Sequence, residues 1–188
     1  MAKLVENVYG NALFELSVEQ HKEDEYYREA MIVNQAIQDN PQLIKMMIHP
    51  QIVMEEKLAM IDTIFKTRVT DEIVGLLRMV VEKNHFAEVE SIFNYFIARM
   101  KEYKKIGVAS IKTPRALSDA QKKEVEQRLL ETTSYESFEM HYEVAPELIG
   151  GMVIQMKDRV VDSSIQSKIY RLSQDLSKIQ LKAGESTP

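Results

Sequence analysis

Up to Tyr103 the apolar residues of this chain recur at three- and four-residue spacing, and at "KEYKKIGVASIKTP" this gives way to a short β-rich run that stops at Pro114. That change of period constrains the fold more than any other feature. A repeat near 3.6 gathers side chains on one side of a helix, whereas a repeat of two gathers them on one face of a strand. Val5, Val8, Tyr9, Ala12, Leu13 and Leu16 form one helical stripe, and Phe14 and Val18 form a second apolar line away from it. Tyr26, Ala30, Val33 and Ile37 mark a second helix that must stop before Pro41, and "QLIKMMI" a short third one closing at His49-Pro50. Met54, Leu58, Ile61 and Phe65 mark a fourth, after which Thr70 stands where it can cap the next helix.

The fifth helix, "DEIVGLLRMVVEKNHF", places Ile73, Val74, Leu76, Leu77, Met79, Val80 and Val81 around most of its circumference. Such a helix is either buried on every side or completed by another chain. The sixth is cleanly amphipathic, with Val89, Ile92, Phe93, Phe96, Ile97 and Met100 inward. Short turns join all six, so residues 1–105 are expected to form a helical bundle domain.

The second part, residues 106–188, reads as a small sheet with two helices. "KEYKKIGVASIKTP" is a β-rich run ending at Pro114, and Ser118 with Gln121 has capping-box spacing ahead of a charged surface helix. Phe138, Met140, Tyr142 and Val144 alternate with polar residues, as in a strand with one buried face. Met152, Ile154 and Met156, a tight turn at Lys157-Asp158 and Arg159 to Val161 read as a hairpin. Ser163 and Gln166 repeat the capping-box spacing, and Ile165, Ile169, Leu172, Leu176 and Ile179 follow as an a/d seam, with "AGESTP" a frayed tail. The expected class is therefore mainly α: an N-terminal six-helix bundle followed by a small α/β (α+β) C-terminal domain.

Charge and composition exclude several functions. The net charge of −5 divides into −4 over residues 1–105 and −1 over 106–188, so neither part has the basic excess that neutralising a phosphate backbone requires. There is no cysteine, which removes disulfides, thiolate metal sites and cysteine nucleophiles. No segment approaches the roughly 20 apolar residues that span a bilayer. The opening "MAKLVENVYGNALFE" is neither a secretory signal nor an Arg-rich transit sequence.

No catalytic constellation is found. None of the six glycines sits in a GxGxxG or GxxxxGK[ST] pattern, and Gly150-Gly151 enters a strand, which makes it punctuation for a bend. His21, His49, His85 and His141 have no metal-ligand spacing, and no serine lies in a GxSxG elbow. No cofactor, metal or nucleotide is expected. Of the eleven methionines, Met46, Met47, Met54, Met60 and Met79 gather around the third to fifth helices, either as core gap-fillers or as an adaptable groove for a partner helix.

The opening Tyr-x-x-Ala-Leu-Phe-Glu (Tyr9, Ala12, Leu13, Phe14, Glu15), joined to a later Pro-Glu-Leu-Ile-Gly-Gly-Met-Val-Ile and Asp-x-Ser (Asp162, Ser164), resembles the delta subunit of F-type ATP synthases, the family of the mitochondrial oligomycin-sensitivity-conferring protein. The likeness runs from about Val5 to Leu181. Gly10, Val8, Ser163 and His85 depart from residues common in the family.

The resemblance implies a non-catalytic stator subunit. Its helical domain would bind amino-terminal helices of the alpha subunits on the catalytic head, in a groove between the first and fifth helices, through Tyr9, Leu13, Leu16, Leu76, Leu77, Val80 and Val81. Its second domain would bind the b subunits of the peripheral stalk through Ile165, Ile169, Leu172 and Leu176, although the same seam could instead pack on its own sheet. It further implies a peripheral place on the cytoplasmic face of a bacterial cell membrane, held there by the complex. A stand-alone adaptor that captures an amphipathic helix of an unrelated partner is the other reading of the bundle.

Overall fold

The computed structural model describes residues 2–157 and 159–184, with side chains over 4–157 and 159–175. It divides into two compact units, Met1–Tyr103 and Lys104–Pro188. Among the described residues there are eight α-helices and one four-stranded mixed sheet.

The first unit holds α1 (Ala2–Glu19), α2 (Glu23–Asp39), α3 (Pro41–Met47), α4 (Met54–Phe65), α5 (Asp71–Glu82) and α6 (Val89–Tyr103), with a 3-10 turn at Phe86–Glu88. Its breaks fall where the backbone demands them. Pro41 sits in the first turn of α3, where its missing N–H costs nothing. His21 and Asn84, at φ 55° and 57°, close α1 and α5 in left-handed turns: Lys22 N–H donates to Ser17 O and His85 N–H to Val80 O. Thr70 occupies the cap position of α5 without capping it. Its hydroxyl and N–H both donate to the Glu29 carboxylate, each at 2.8 Å, so that a residue of α2 holds the start of α5.

One core fills this unit: Tyr26, Ala30, Val33 and Ile37 of α2, Ile61 and Phe65 of α4, Ile73, Leu77 and Val80 of α5, and Val89, Ile92, Phe93, Phe96 and Met100 of α6. α1 packs chiefly on α6. The two come close because residue 10 has no side chain: a Cβ there would lie 2.5 Å from the Tyr95 ring and 3.3 Å from Ile92 O.

The second unit runs β1 (Ile106–Thr113), α7 (Asp119–Thr132), β2 (Ser137–Val144), a 3-10 turn at Pro146–Leu148, β3 (Val153–Met156), β4 (Arg159–Asp162) and α8 (Ile165–Gly184). The sheet order is β2-β1-β3-β4, with β1 and β2 parallel and the other pairs antiparallel. The capping box at Ser118 and Gln121 forms in full.

Three expectations change here. Of the alternating strand residues only Phe138 is buried, Met140 is partly buried on the same core, and Tyr142 and Val144 are exposed, Tyr142 meeting α7 only through Lys122 at the surface. The cap of α8 is Ser164, one residue later than Ser163: Ser167 N–H donates to Ser164 Oγ, while Ser163 Oγ turns back to Met152 O. α8 itself continues to Gly184, through the beginning of the expected tail. Of the hairpin turn, Asp158 lies outside the described residues.

Candidate partner-binding surfaces

α1 and α5 run antiparallel along one side of the first unit. At one end the rings of Tyr9 and His85 are 6.3 Å apart; at the other, Gln20 Nε2 donates to Glu72 Oε1 at 3.5 Å. Between these tie points Tyr9, Leu16 and Leu76 are half-buried against the core.

The seven residues expected at the head contact therefore separate. Tyr9, Leu16 and Leu76 are half-buried and keep some exposed surface. Leu13, Leu77, Val80 and Val81 are buried in the core and present no surface to a partner while the helices keep this packing. The fifth helix is not apolar on all sides either: Ile73, Val74, Leu77, Val80 and Val81 make one broad inward face, and Met79, 48% exposed, lies on the outward side. Val8, 57% exposed, does the same on α1. Periodicity reveals these stripes but cannot say how deep each residue of a wide stripe lies; that depends on where the neighbouring helices sit. The methionines divide likewise, Met47 in the core, Met54 and Met60 packed on it, and Met46 and Met79 outside.

In the second unit α8 carries its apolar seam in the open. Ile165 is exposed, Ile169 is 58% exposed and Leu172 is 60% exposed, so these three residues of the seam are not buried against the sheet. The Leu176 side chain lies outside the described residues. Asp162 fastens the start of the helix, accepting from Ser164 N–H at 2.8 Å and Ser167 Oγ at 2.5 Å. These bonds hold its carboxyl at a pKa of about 2, the Ser167 hydroxyl contributing most.

The glycine pair fits against the same junction. A Cβ on Gly150 would meet the Ile165 side chain, and one on Gly151, which has φ +81°, would lie 2.5 Å from Ser163 O. Bending and close packing account for both glycines. Beside them Ile149 is held at φ 58° with its side chain in solvent. A groove of about 500 Å³ runs between α7 and β3, lined by apolar residues such as Leu129 and Ile154 together with Gln121, Glu124 and Arg128.

Among the described residues no three His, Cys, Asp or Glu side chains are grouped to hold a metal, and no helix is long and apolar enough to cross a membrane. Exposed apolar residues lie on several helices, among them Val8 on α1, Met79 on α5 and Ile169 and Leu172 on α8. The class of protein these features define is a mainly helical protein of two compact units, the second built on a small mixed sheet.

Comparison with known proteins identifies the family. The family model described as ATP synthase delta (OSCP) subunit matches residues 5–176. The chain is 43% identical over 181 residues to ATP synthase subunit delta of Lachnoclostridium phytofermentans, covering 96% of this chain and all of that one. It is 29% identical over 181 residues to the subunit delta of Alkaliphilus oremlandii, covering 95% and 99%. A chain in the Toxoplasma gondii mitochondrial ATP synthase hexamer shares the fold, with a TM-score of 0.71 at 18% identity over 91% of this chain and 96% of that one. This chain belongs to the ATP synthase delta (OSCP) subunit family, and with it to the non-catalytic stator subunits of ATP synthase.

Proposed function

We propose that the six helices of the first unit act as one bundle that holds an amino-terminal helix of an alpha subunit between α1 and α5, and that the second unit holds the b subunits of the peripheral stalk through α8. The observation that carries this reading is the open seam of α8. Ile169 and Leu172 lie largely in water and Ile165 is exposed beyond its contact with Gly150, which supports a partner-covered face on this helix. For the first unit, the support is the half-buried Tyr9, Leu16 and Leu76 flanked by exposed Val8 and Met79.

The task is mechanical. A rotor turning inside the catalytic head yields ATP only if the head is kept from turning with it, so the subunit must join head to stalk with affinity and stiffness. Helix-in-groove contacts supply both without any shifted catalytic group. The bacterial relatives support a place on the cytoplasmic face of the cell membrane, where the complex would hold a chain with no spanning helix of its own among the described residues.

Purification of the tagged protein from its own membranes in mild detergent tests the assignment. Alpha, beta and b subunits should be recovered together. Leu76→Asp with Met79→Asp should lose the head and keep b; Ile169→Asp with Leu172→Asp should lose b and keep the head. Loss of both partners in each variant, or of neither, overturns the two-ended model.

A further inference from the structure

Along α8 every residue from Lys168 to Asp175 is exposed, so over these two turns there is room for another helix on any side. Ile169 and Leu172 form the middle of the apolar seam, and Ile165 begins it. Lys168 and Asp175, seven residues apart, flank the seam on one side, each adjoining Leu172 at helical spacing. Gln166 and Ser173 hold the corresponding places on the other flank and carry no charge.

A flank that is basic at one end and acidic at the other is complementary to itself when reversed. Let two copies of α8 meet about a two-fold axis, with Ile169 of each against Leu172 of the other. The charged flank of one copy then runs beside the same flank of the other in the opposite direction. Lys168 faces Asp175 of the second copy, and symmetry makes this pair occur twice. Sliding one helix by a heptad in either direction sets Lys168 against Lys168 or Asp175 against Asp175. A parallel pair sets Lys168 against Ser173 and gains nothing from charge. The sequence of this one flank therefore selects a single direction and register.

We infer that a second copy of this chain covers the seam in the free protein: two α8 helices pair antiparallel through Ile165, Ile169 and Leu172, with Lys168 of each against Asp175 of the other. Three apolar side chains from each copy bury less than the roughly 1,000 Å² of a stable interface, so the dimer is weak, with a dissociation constant on the order of 0.1 mM. A weak dimer shields the seam from other apolar surfaces and yields to a better partner. The pairing follows from α8 alone; its displacement by b rests on the stalk-binding reading above.

Sedimentation velocity on the full-length protein, from about 10 µM to 1 mM, tests the pairing. The chain should pass from monomer to dimer over this range, and no self-association at the upper end overturns the inference. Ile169→Asp with Leu172→Asp should abolish the dimer. Both side chains lie mostly in water, so the variant keeps its fold. A dimer that survives this change forms elsewhere on the molecule, which also overturns the inference.

Charge exchange reads the direction. Lys168→Asp alone, or Asp175→Lys alone, places like charges together twice and should weaken the dimer about tenfold at low salt. Both changes together restore opposite charges and should recover the original affinity. No effect in either single variant, or equal weakening in the double one, overturns the antiparallel register. Adding the part of b that lies outside the membrane should replace the dimer by a complex of b with the subunit. A dimer with the expected charge dependence that ignores b upholds the pairing and overturns the stalk-binding reading of α8.

Discussion

Glycine at single positions shows how one side chain's absence is read by its neighbours. Gly10 and Gly75 are both helical, yet a Cβ at Gly10 would press on the Tyr95 ring whereas one at Gly75 would meet nothing within 4 Å. Gly75→Ala should therefore stabilise the first unit by about 1 kcal/mol through helix propensity alone. Gly10→Ala gains the same propensity but overpacks the α1–α6 contact, so a net loss of about 1 kcal/mol or more is expected. Urea denaturation followed by far-UV circular dichroism gives both signs. Asp162 makes a different residue-scale prediction. Its pKa is lowered from 3.8 to about 2 by the Ser167 hydroxyl first and the Ser164 hydroxyl and N–H next, so its contribution is complete above pH 3.8 and lost as the pH falls through about 2. Hydrogen exchange of the β1 and β3 amides should show the second unit weakening across that window, and Asp162→Asn should flatten that part of the profile.

Two helices that each carry an apolar stripe at helical spacing meet opposite fates, and this is the lesson at the scale of elements. Leu77 on α5 is fully buried; Leu172 on α8 is mostly exposed. Leu77→Asp should bury an unpaired carboxylate at a cost of several kcal/mol, enough to unfold a unit of ordinary stability. Leu172→Asp should change stability by less than about 0.5 kcal/mol while removing stalk binding. Thermal melts paired with a b-subunit pull-down separate the cases; a stability loss in Leu172→Asp equal to that of Leu77→Asp would mean that α8 packs on its own unit. The a/d spacing of α8 was legible in the sequence, as was the stripe of α5. Whether a stripe faces core or water was not, because amphipathicity records only that some apolar surface will cover it.

For the whole molecule, the division at Tyr103–Lys104 separates two cores that share no long helix. A chain ending at Tyr103 should fold, bind the alpha helix with affinity close to that of the full chain, and fail to bring down b. Loss of head binding in that fragment, measured by calorimetry with the alpha peptide, would show that the two ends do not act independently.

The local sequence determined what depends on neighbours along the chain. The helix spans, the stop at Pro41, the capping box at Ser118, the role of Gly150-Gly151 as a bend and the change from helices to a sheet after Tyr103 all follow from backbone stereochemistry and apolar period, which act over a few residues. The likeness carried by the two motifs agrees with the family found by comparison. Tertiary structure alone decided which of Tyr9, Leu13, Leu16, Leu76, Leu77, Val80 and Val81 keep exposed surface and which lie in a core. It alone gave Thr70 to Glu29 instead of to its own helix, moved the cap of α8 to Ser164 and left the seam of α8 open. Those outcomes depend on the position of elements distant in sequence, and burial is a property of the surrounding packing, not of the side chain that is buried.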